Sequence, residues 1–232
     1  MTITERTTVA EVASSVPSSV RVFQKLGIDF CCGGKRPIGL VCEEKGLSFP
    51  DVLARLEEAQ TAPPADSRDW EKESLTALAK HIVAAYHEPL REELPRLEAM
   101  ADKVASVHGG GAPYLSRVNA IVRELSAELR SHMQKEEVVL FPAIEALEQR
   151  TQAVMPLNAP ITVMEDEHEH AGAMLAELRA ITKNYEMPEW GCGTFQALYR
   201  GLDELESTMH VHIHLENNIL FPRTLAAATA NV

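Results

Sequence analysis

The sequence predicts an all-α protein, in which a small N-terminal helical module precedes an up-down four-helix bundle. Three observations carry this expectation. Aromatic residues are only 5% of the 232 residues, Ala, Leu and Glu are abundant and β-branched runs are few, a composition that favours helices over strands. Apolar positions recur at helical spacing over long stretches. Proline and glycine clusters interrupt those stretches in only a few places, so the helices between them are long.

In chain order, Val9, Val12 and Val16 and then Val20, Val22, Phe23 and Leu26 are apolar at near-helical spacing. Pro17 restarts the chain between them and Gly27 ends the second helix. A loop from Ile28 to Arg36 follows, and it contains Cys31-Cys32-Gly33-Gly34. Pro37 opens a brief helix that Gly46 stops. Ser48-Phe49-Pro50-Asp51 heads another, with a capping serine, an acid in the first turn, and Val52, Leu53 and Leu56 on one side. Residues 1–61 form this first module. Pro63-Pro64, among small and charged residues, makes 62–69 a linker. Residues 70–232 show four helical patterns, 70–104, 114–149, 159–185 and 192–227. Their breaks fall at His108 to Pro113, at Met155-Pro156 and at Met187-Pro188. Helices of such length with short breaks pack antiparallel.

Charge and composition exclude several functions. Twenty-two basic and 34 acidic residues give a net charge of −12, which repels a phosphate backbone. No apolar run approaches the roughly 20 residues that span a bilayer. Met1-Thr2-Ile3-Thr4-Glu5-Arg6 has neither a basic start nor an apolar signal core. Four cysteines in a chain this long are no disulfide scaffold, which points to a reducing compartment, the cytoplasm. Nucleic acid, membrane and export are not expected, while monomer and homodimer both stay open.

The strongest signal is an internal repeat. His132-Met133-Gln134-Lys135-Glu136 through Phe141-Pro142 matches His212-Ile213-His214-Leu215-Glu216 through Phe221-Pro222 at an offset of 80. Upstream, Val118, Val122, Leu125 and Leu129 meet Leu198, Leu202, Leu205 and Met209, both sets stepping by 4, 3 and 4. That stepping is a bundle-facing stripe. Continued, it reaches His132, Glu136 and Val139 in one helix and His212, Glu216 and Ile219 in the other. The stripe Val83, His87, Leu90, Leu94, Leu97 meets Met164, His168, Ala171, Leu175, Leu178 at an offset of 81. Each half is thus a helical hairpin carrying one His and then His-x-x-x-Glu. His170, His210 and His214 lie two residues off the stripe, about 200° round the helix, and His81 and His108 lie elsewhere again. These five are expected at the solvated surface.

Two glutamates inside a bundle would each cost several kcal/mol if uncompensated, and no Lys or Arg shares their stripes. Metal cations remove the difficulty, because imidazole and carboxylate both ligate divalent iron or manganese. His and Glu at i, i+4 reach the same ion. Six ligands from four helices exceed one tetrahedral zinc and suit two metals bridged by the two carboxylates. Four His to two Glu is a nitrogen-rich set of the haemerythrin-like kind, with open positions for a small ligand such as O₂ or NO. Iron is favoured, though spacing alone leaves manganese and zinc open.

These residues resemble the repair-of-iron-centres family of di-iron proteins, of the YtfE, ScdA and NorA type, over nearly the whole chain. Asp29-Phe30-Cys31-Cys32-Gly33-Gly34-Lys35 is similar to the dicysteine signature of that family's ScdA-type N-terminal domain. Ser131-His132 through Glu136, Phe141-Pro142, Glu167-His168, and His212 through Glu216-Asn217-Asn218 with Phe221-Pro222 are similar to its haemerythrin-like motifs. The resemblance implies a non-haem centre of two irons per chain, carboxylate-bridged and open to an oxo bridge. His87, His132, His168 and His212 would be its terminal ligands and Glu136 and Glu216 its bridges. It also implies repair of iron–sulfur clusters damaged by nitrosative or oxidative stress. Donation of labile iron is one account of that repair, and binding or reduction of nitric oxide is the other. Damaged iron–sulfur proteins would be the clients.

Cys31 and Cys32 are the expected redox or iron-transfer pair. Thiolates are soft iron ligands, and Lys35 and Arg36 next door would favour thiolate over thiol. Cys42 and Cys192 are expected to be structural.

Overall fold

A computed structural model describes residues 2–61, 68–150 and 156–230. Most of the expected linker, 62–67, lies outside the described residues, as does Met155 of the second expected break. Among the described residues every regular element is helical, and the sole extended pairing is a bridge between Thr8 and Pro37. The chain is all-α, as expected. No helix among them is long and apolar enough to cross a membrane.

The elements run α1 (Val9–Ser15), α2 (Ser19–Leu26), α3 (Ile38–Glu44), α4 (Phe49–Thr61) and α5 (Leu75–Ile82). A π-helical turn, Val83–His87, leads into α6 (Glu88–His108). Next, α7 (Tyr114–Lys135) passes through a π turn, Glu136–Leu140, into α8 (Phe141–Gln149). After α9 (Asn158–Ile181), α10 (Gly193–Leu215) passes through a third π turn, Glu216–Leu220, into α11 (Phe221–Ala230). The chain forms two compact units, one of Met1–Leu78 with His210–Val232 and one of Ala79–Met209, so their boundaries fall inside α5 and α10.

In the first unit, Thr8 and Glu11 cap α1 reciprocally, with Glu11 N–H donating to Thr8 Oγ1 at 3.2 Å and Thr8 N–H to Glu11 Oε2 at 2.8 Å. Gly27 and Gly46, at φ of 60° and 64°, end α2 and the turn after α3 in the left-handed region where glycine carries no Cβ penalty. Val9, Val12, Phe23, Ile28, Phe30, Ile38, Val41, Val52 and Leu56 form the core, so the apolar spacing read from sequence does face inward. Arg223 of α11 donates to the carbonyls of Trp70 and Glu73 at 2.7 and 2.6 Å.

In the second unit, cross-helix ion pairs report direction. Partners of α6 Glu98 and Asp102 are Arg130 and Arg123 of α7 at 2.8 and 3.0 Å. α7 Arg117 and Glu128 meet Glu177 and His170 of α9 at 2.6 and 3.4 Å. α9 Arg179 meets Asp203 and Glu206 of α10 at 2.6 and 2.8 Å. Between α6 and α7 and between α7 and α9, numbers fall on one helix as they rise on the next, so these neighbours are antiparallel. The exposed pairs among these add little stability each. The apolar stripes do that, and Leu90, Leu94, Leu97, Val118, Val122, Leu125, Met164, Leu175, Leu178, Leu198 and Leu202 are all buried.

Two stripe residues are corrected. Val139 is 46% exposed, and Leu140 is buried in its place. A π turn holds one residue more per turn than an α turn, so the buried face advances by one position across Glu136–Leu140. The same shift makes Ile82, not Val83, the fully buried residue ahead of His87.

Candidate metal centre

Three candidate ligands sit on the π turns. His87 ends the first, Glu136 begins the second and Glu216 begins the third. The cause is the proline two residues past each turn, Pro89, Pro142 and Pro222. A helical proline lacks the N–H and its ring collides with the carbonyl four residues back. Widening the turn relieves both, and the residue before each proline bonds five back instead. Glu88 N–H donates to Val83 O, Phe141 N–H to Glu136 O and Phe221 N–H to Glu216 O. His168 lies on the uninterrupted α9.

Within the second unit His87, His132, Glu136 and His168 are all buried. Nε2 of His87 and Nε2 of His132 lie 3.3 and 3.4 Å from the same Glu136 oxygen, Oε2. His168 Nε2 is 3.0 Å from His132 Nε2. Two of these rings are oriented from behind. His87 Nδ1 is 2.7 Å from Glu137 Oε1, and Arg91 pairs with that same carboxylate. His132 Nδ1 is 2.8 Å from Glu167 Oε2, and Lys135 pairs with that one. Burial alone would raise both carboxylates, but hydrogen bonds from His87 and Arg91 hold Glu137 below its usual range. Lys135 and His132 do the same for Glu167. An ionised carboxylate only accepts, so Nδ1 of each ring carries a proton, and Nε2 is the nitrogen turned toward Glu136.

This arrangement fits a cation. Two imidazole nitrogens face a buried carboxylate, and neither oxygen of Glu136 accepts a hydrogen bond. A buried carboxylate without hydrogen bonds is costly unless a positive charge stands beside it. Ligating atoms of His132, Glu136 and His168 lie within 4.8 Å of one another, and Glu136 belongs equally to the group containing His87. It therefore stands in both groups of candidate donors.

In the first unit His212 and Glu216 are buried, with His212 Nε2 3.0 Å from Glu216 Oε1. The dicysteine loop lies against this same helical segment. Asn218 Nδ2 is 3.1 and 3.4 Å from the carbonyls of Phe30 and Cys31 and 3.0 Å from His214 Nδ1. The Phe30 ring meets His214 edge-on at 5.6 Å and His210 at 6.1 Å. His214 is only 3% exposed, which corrects its expected place at the surface. Burial pulls its imidazole down to about 4, opposed by a hydrogen bond with the Phe30 backbone. His210 is half-buried for the same reason, whereas His170 is exposed as expected.

Asp29 organises the loop, its carboxylate accepting from the N–H groups of Cys31, Cys32 and Gly33 at 3.0, 3.1 and 2.8 Å. A Cβ on Gly34 would stand 2.6 Å from the Phe30 carbonyl, so the turn admits no side chain there. The Cys31 and Cys32 sulfurs are 3.8 Å apart. Their contact, the burial of Cys31 and the nearby Asp29 carboxylate hold the Cys31 thiol well above its ordinary range. The expectation that Lys35 and Arg36 favour its thiolate is thus corrected: Arg36 is spent on Glu44. Cys42 is buried as a structural residue would be, but Cys192 is exposed.

Sequence reasoning missed Glu137 and Arg91 behind His87, and Lys135 and the supporting role of Glu167 behind His132. The available signal was a carboxylate directly beside a stripe ligand, Glu137 after Glu136 and Glu167 before His168. The repeat hides it, since the matching positions are Asn217 and Tyr86. Glu137→Gln is expected to weaken iron retention about 10- to 100-fold, because an amide no longer holds the His87 proton at Nδ1 as firmly. Competition with a chelator measures this, and unchanged retention would remove Glu137 from the supporting set.

Comparison with known proteins covers both units. The haemerythrin HHE cation-binding domain matches residues 78–224. ScdA_N, a domain of unknown function, matches residues 5–60. The iron–sulfur cluster repair protein YtfE of Pectobacterium carotovorum is 39% identical over 221 residues, spanning 93% of this chain and 95% of that protein. Its namesake from Yersinia pseudotuberculosis is 41% identical over 217 residues, spanning 92% and 94%. Haemerythrin HHE domains hold a non-haem di-iron centre, and the buried His and Glu cluster is a donor set of that kind. The chain belongs to the YtfE family of iron–sulfur cluster repair proteins, di-iron proteins that join a ScdA-type N-terminal domain to a haemerythrin-type helical bundle.

Proposed function

We propose that this protein repairs iron–sulfur clusters damaged by nitrosative or oxidative stress by giving up iron from a single centre of two irons. His87, His132, His168 and His212 would be its terminal ligands, and Glu136 and Glu216 its bridges. The observation that carries the reading is the Glu136 carboxylate, buried, accepting no hydrogen bond, and faced by two imidazole nitrogens. Glu216 has the same local setting, four residues after a histidine, first in a π turn, and followed by Phe-Pro. When bound, the irons supply exchangeable positions for a small ligand such as nitric oxide or O₂.

The chain's own part is to orient and to receive. Glu137 and Glu167 keep protons on Nδ1 of His87 and His132, which leaves Nε2 free to ligate. Asn218, two residues past Glu216, holds the carbonyls of the dicysteine loop, which supports a role for Cys31 and Cys32 as soft acceptors of departing iron. In this reading residues 1–61 serve as the transfer module, 62–69 as a linker and 70–232 as the di-iron bundle. Four free thiols favour the cytoplasm, where they stay reduced.

The test loads native and Cys31→Ser/Cys32→Ser protein with iron under argon. An apo iron–sulfur acceptor and sulfide are then added, and cluster absorbance is followed. Equal iron loading with transfer slowed at least about tenfold in the double variant is expected, since a neutral hydroxyl ligates iron far less well than a thiolate. Unchanged transfer would reduce the pair to a structural turn. No transfer by the native protein, with N₂O released over many turnovers when nitric oxide is added, would overturn iron donation in favour of nitric oxide reduction.

A further inference from the structure

The second unit carries a side-chain cluster that the iron centre does not use. Cys192 is exposed and directly precedes α10, whose first intrahelical bond, Gln196 N–H to Cys192 O, is 3.0 Å. The N–H groups of Thr194 and Phe195 point at its sulfur. His108, the last residue of α6, brings Nε2 to 3.4 Å from that sulfur. The His108 ring packs against two aromatic rings, Trp190 at 5.5 Å and Phe195 at 5.7 Å. These two also contact each other, at 5.4 Å. The imidazole is thereby fixed over the thiol by packing from two further side chains.

We propose that Cys192, paired with His108, is a reactive thiol that exchanges with low-molecular-weight disulfides to form a reversible mixed disulfide. His108 takes the thiol proton, and the Cys192 sulfur attacks one sulfur of the disulfide. A new S–S bond forms as the old one breaks. The departing thiolate takes the proton back from His108 and leaves as a free thiol. Cys192 is oxidised and one half of the incoming disulfide is reduced, while a second thiol reverses the exchange.

Cys31 and Cys42 lack this setting. Both are buried and held above the ordinary thiol range, Cys31 chiefly by its contact with Cys32 and Cys42 chiefly by desolvation. The hydrogen bond from His108, with the backbone N–H groups of Phe195 and Thr194, draws Cys192 down to about 7 from 9.0. At pH 7 that lifts the thiolate fraction from about 1% to about half, while the lower basicity costs about tenfold in intrinsic nucleophilicity, for a net gain of about fivefold.

The test exposes iron-loaded native protein to oxidised glutathione at pH 7 and follows each cysteine by peptide mass. Cys192 is expected to react first, and about fivefold faster than the same cysteine in a synthetic peptide of residues 189–195. His108→Ala should lose most of that advantage, and Cys192→Ser should abolish the fast phase with iron content intact. The proposal is overturned if Cys192 reacts no faster than the peptide. It is equally overturned if His108→Ala, shown folded by its helical circular dichroism, reacts at the native rate.

Discussion

Leucine in place of Glu136 is expected to strip most of the iron from the chain while making the metal-free protein more stable. The carboxylate is buried and neither oxygen accepts a hydrogen bond. Without a cation it is an uncompensated group in a helical interior, and leucine of similar volume removes that cost. Replacing buried charge by well-packed apolar groups is commonly neutral or stabilising by about 1–4 kcal/mol. Urea unfolding of chelator-treated native and variant protein gives the stability, and iron analysis gives the loading. The Glu216→Leu variant should behave alike if the second half contributes equally. Full iron retention in both variants would sink the ligand assignment, and a less stable metal-free Glu136→Leu protein would remove the argument from buried charge.

Alanine at His168 and at His170 should part company. The two are neighbours but one in sequence, yet His168 is buried 3.0 Å from His132 Nε2, while the His170 side chain is 57% exposed beside Glu128. His168→Ala removes one of the proposed nitrogen donors and is expected to lower iron content by about half or more, if each metal needs its own donors. His170→Ala should leave iron content unchanged. Iron loss in His170→Ala but not in His168→Ala would place the inward face of α9 two residues from where it is described.

The ligand register was legible because burial and helical period coincide. Residues stepping by three and four share a face, and charged residues on such a face need an explanation that surface residues do not. His87, His132, Glu136 and His168 could therefore be singled out without coordinates. Glu137 could not, since one step off the stripe a glutamate looks like any solvated residue; its value depends on His87 standing opposite it on another helix. The π turns were encoded by Pro89, Pro142 and Pro222, but a proline in a helical pattern is equally compatible with a kink or a stop. Val139 was misplaced for that reason.

By itself, then, the sequence determined the helical class, the sites of the glycine stops, the two-fold repeat and the buried register of the candidate donors. Each follows from interactions between residues close in the chain, which spacing and side-chain chemistry express directly. Tertiary structure alone decided which carboxylates stand behind His87 and His132 and that Phe30 and Asn218 enclose His214. It also decided that Cys31 keeps its proton beside Cys32 and Asp29, and that Cys192 meets His108 at the surface. Those outcomes depend on what desolvates, neutralises or hydrogen-bonds a group, and apart from the Cys31 turn and Asn218 the partners come from remote parts of the chain. Dielectric environment and proton position are properties of the packed neighbourhood, and no periodicity in one helix records what the facing helix presents to it.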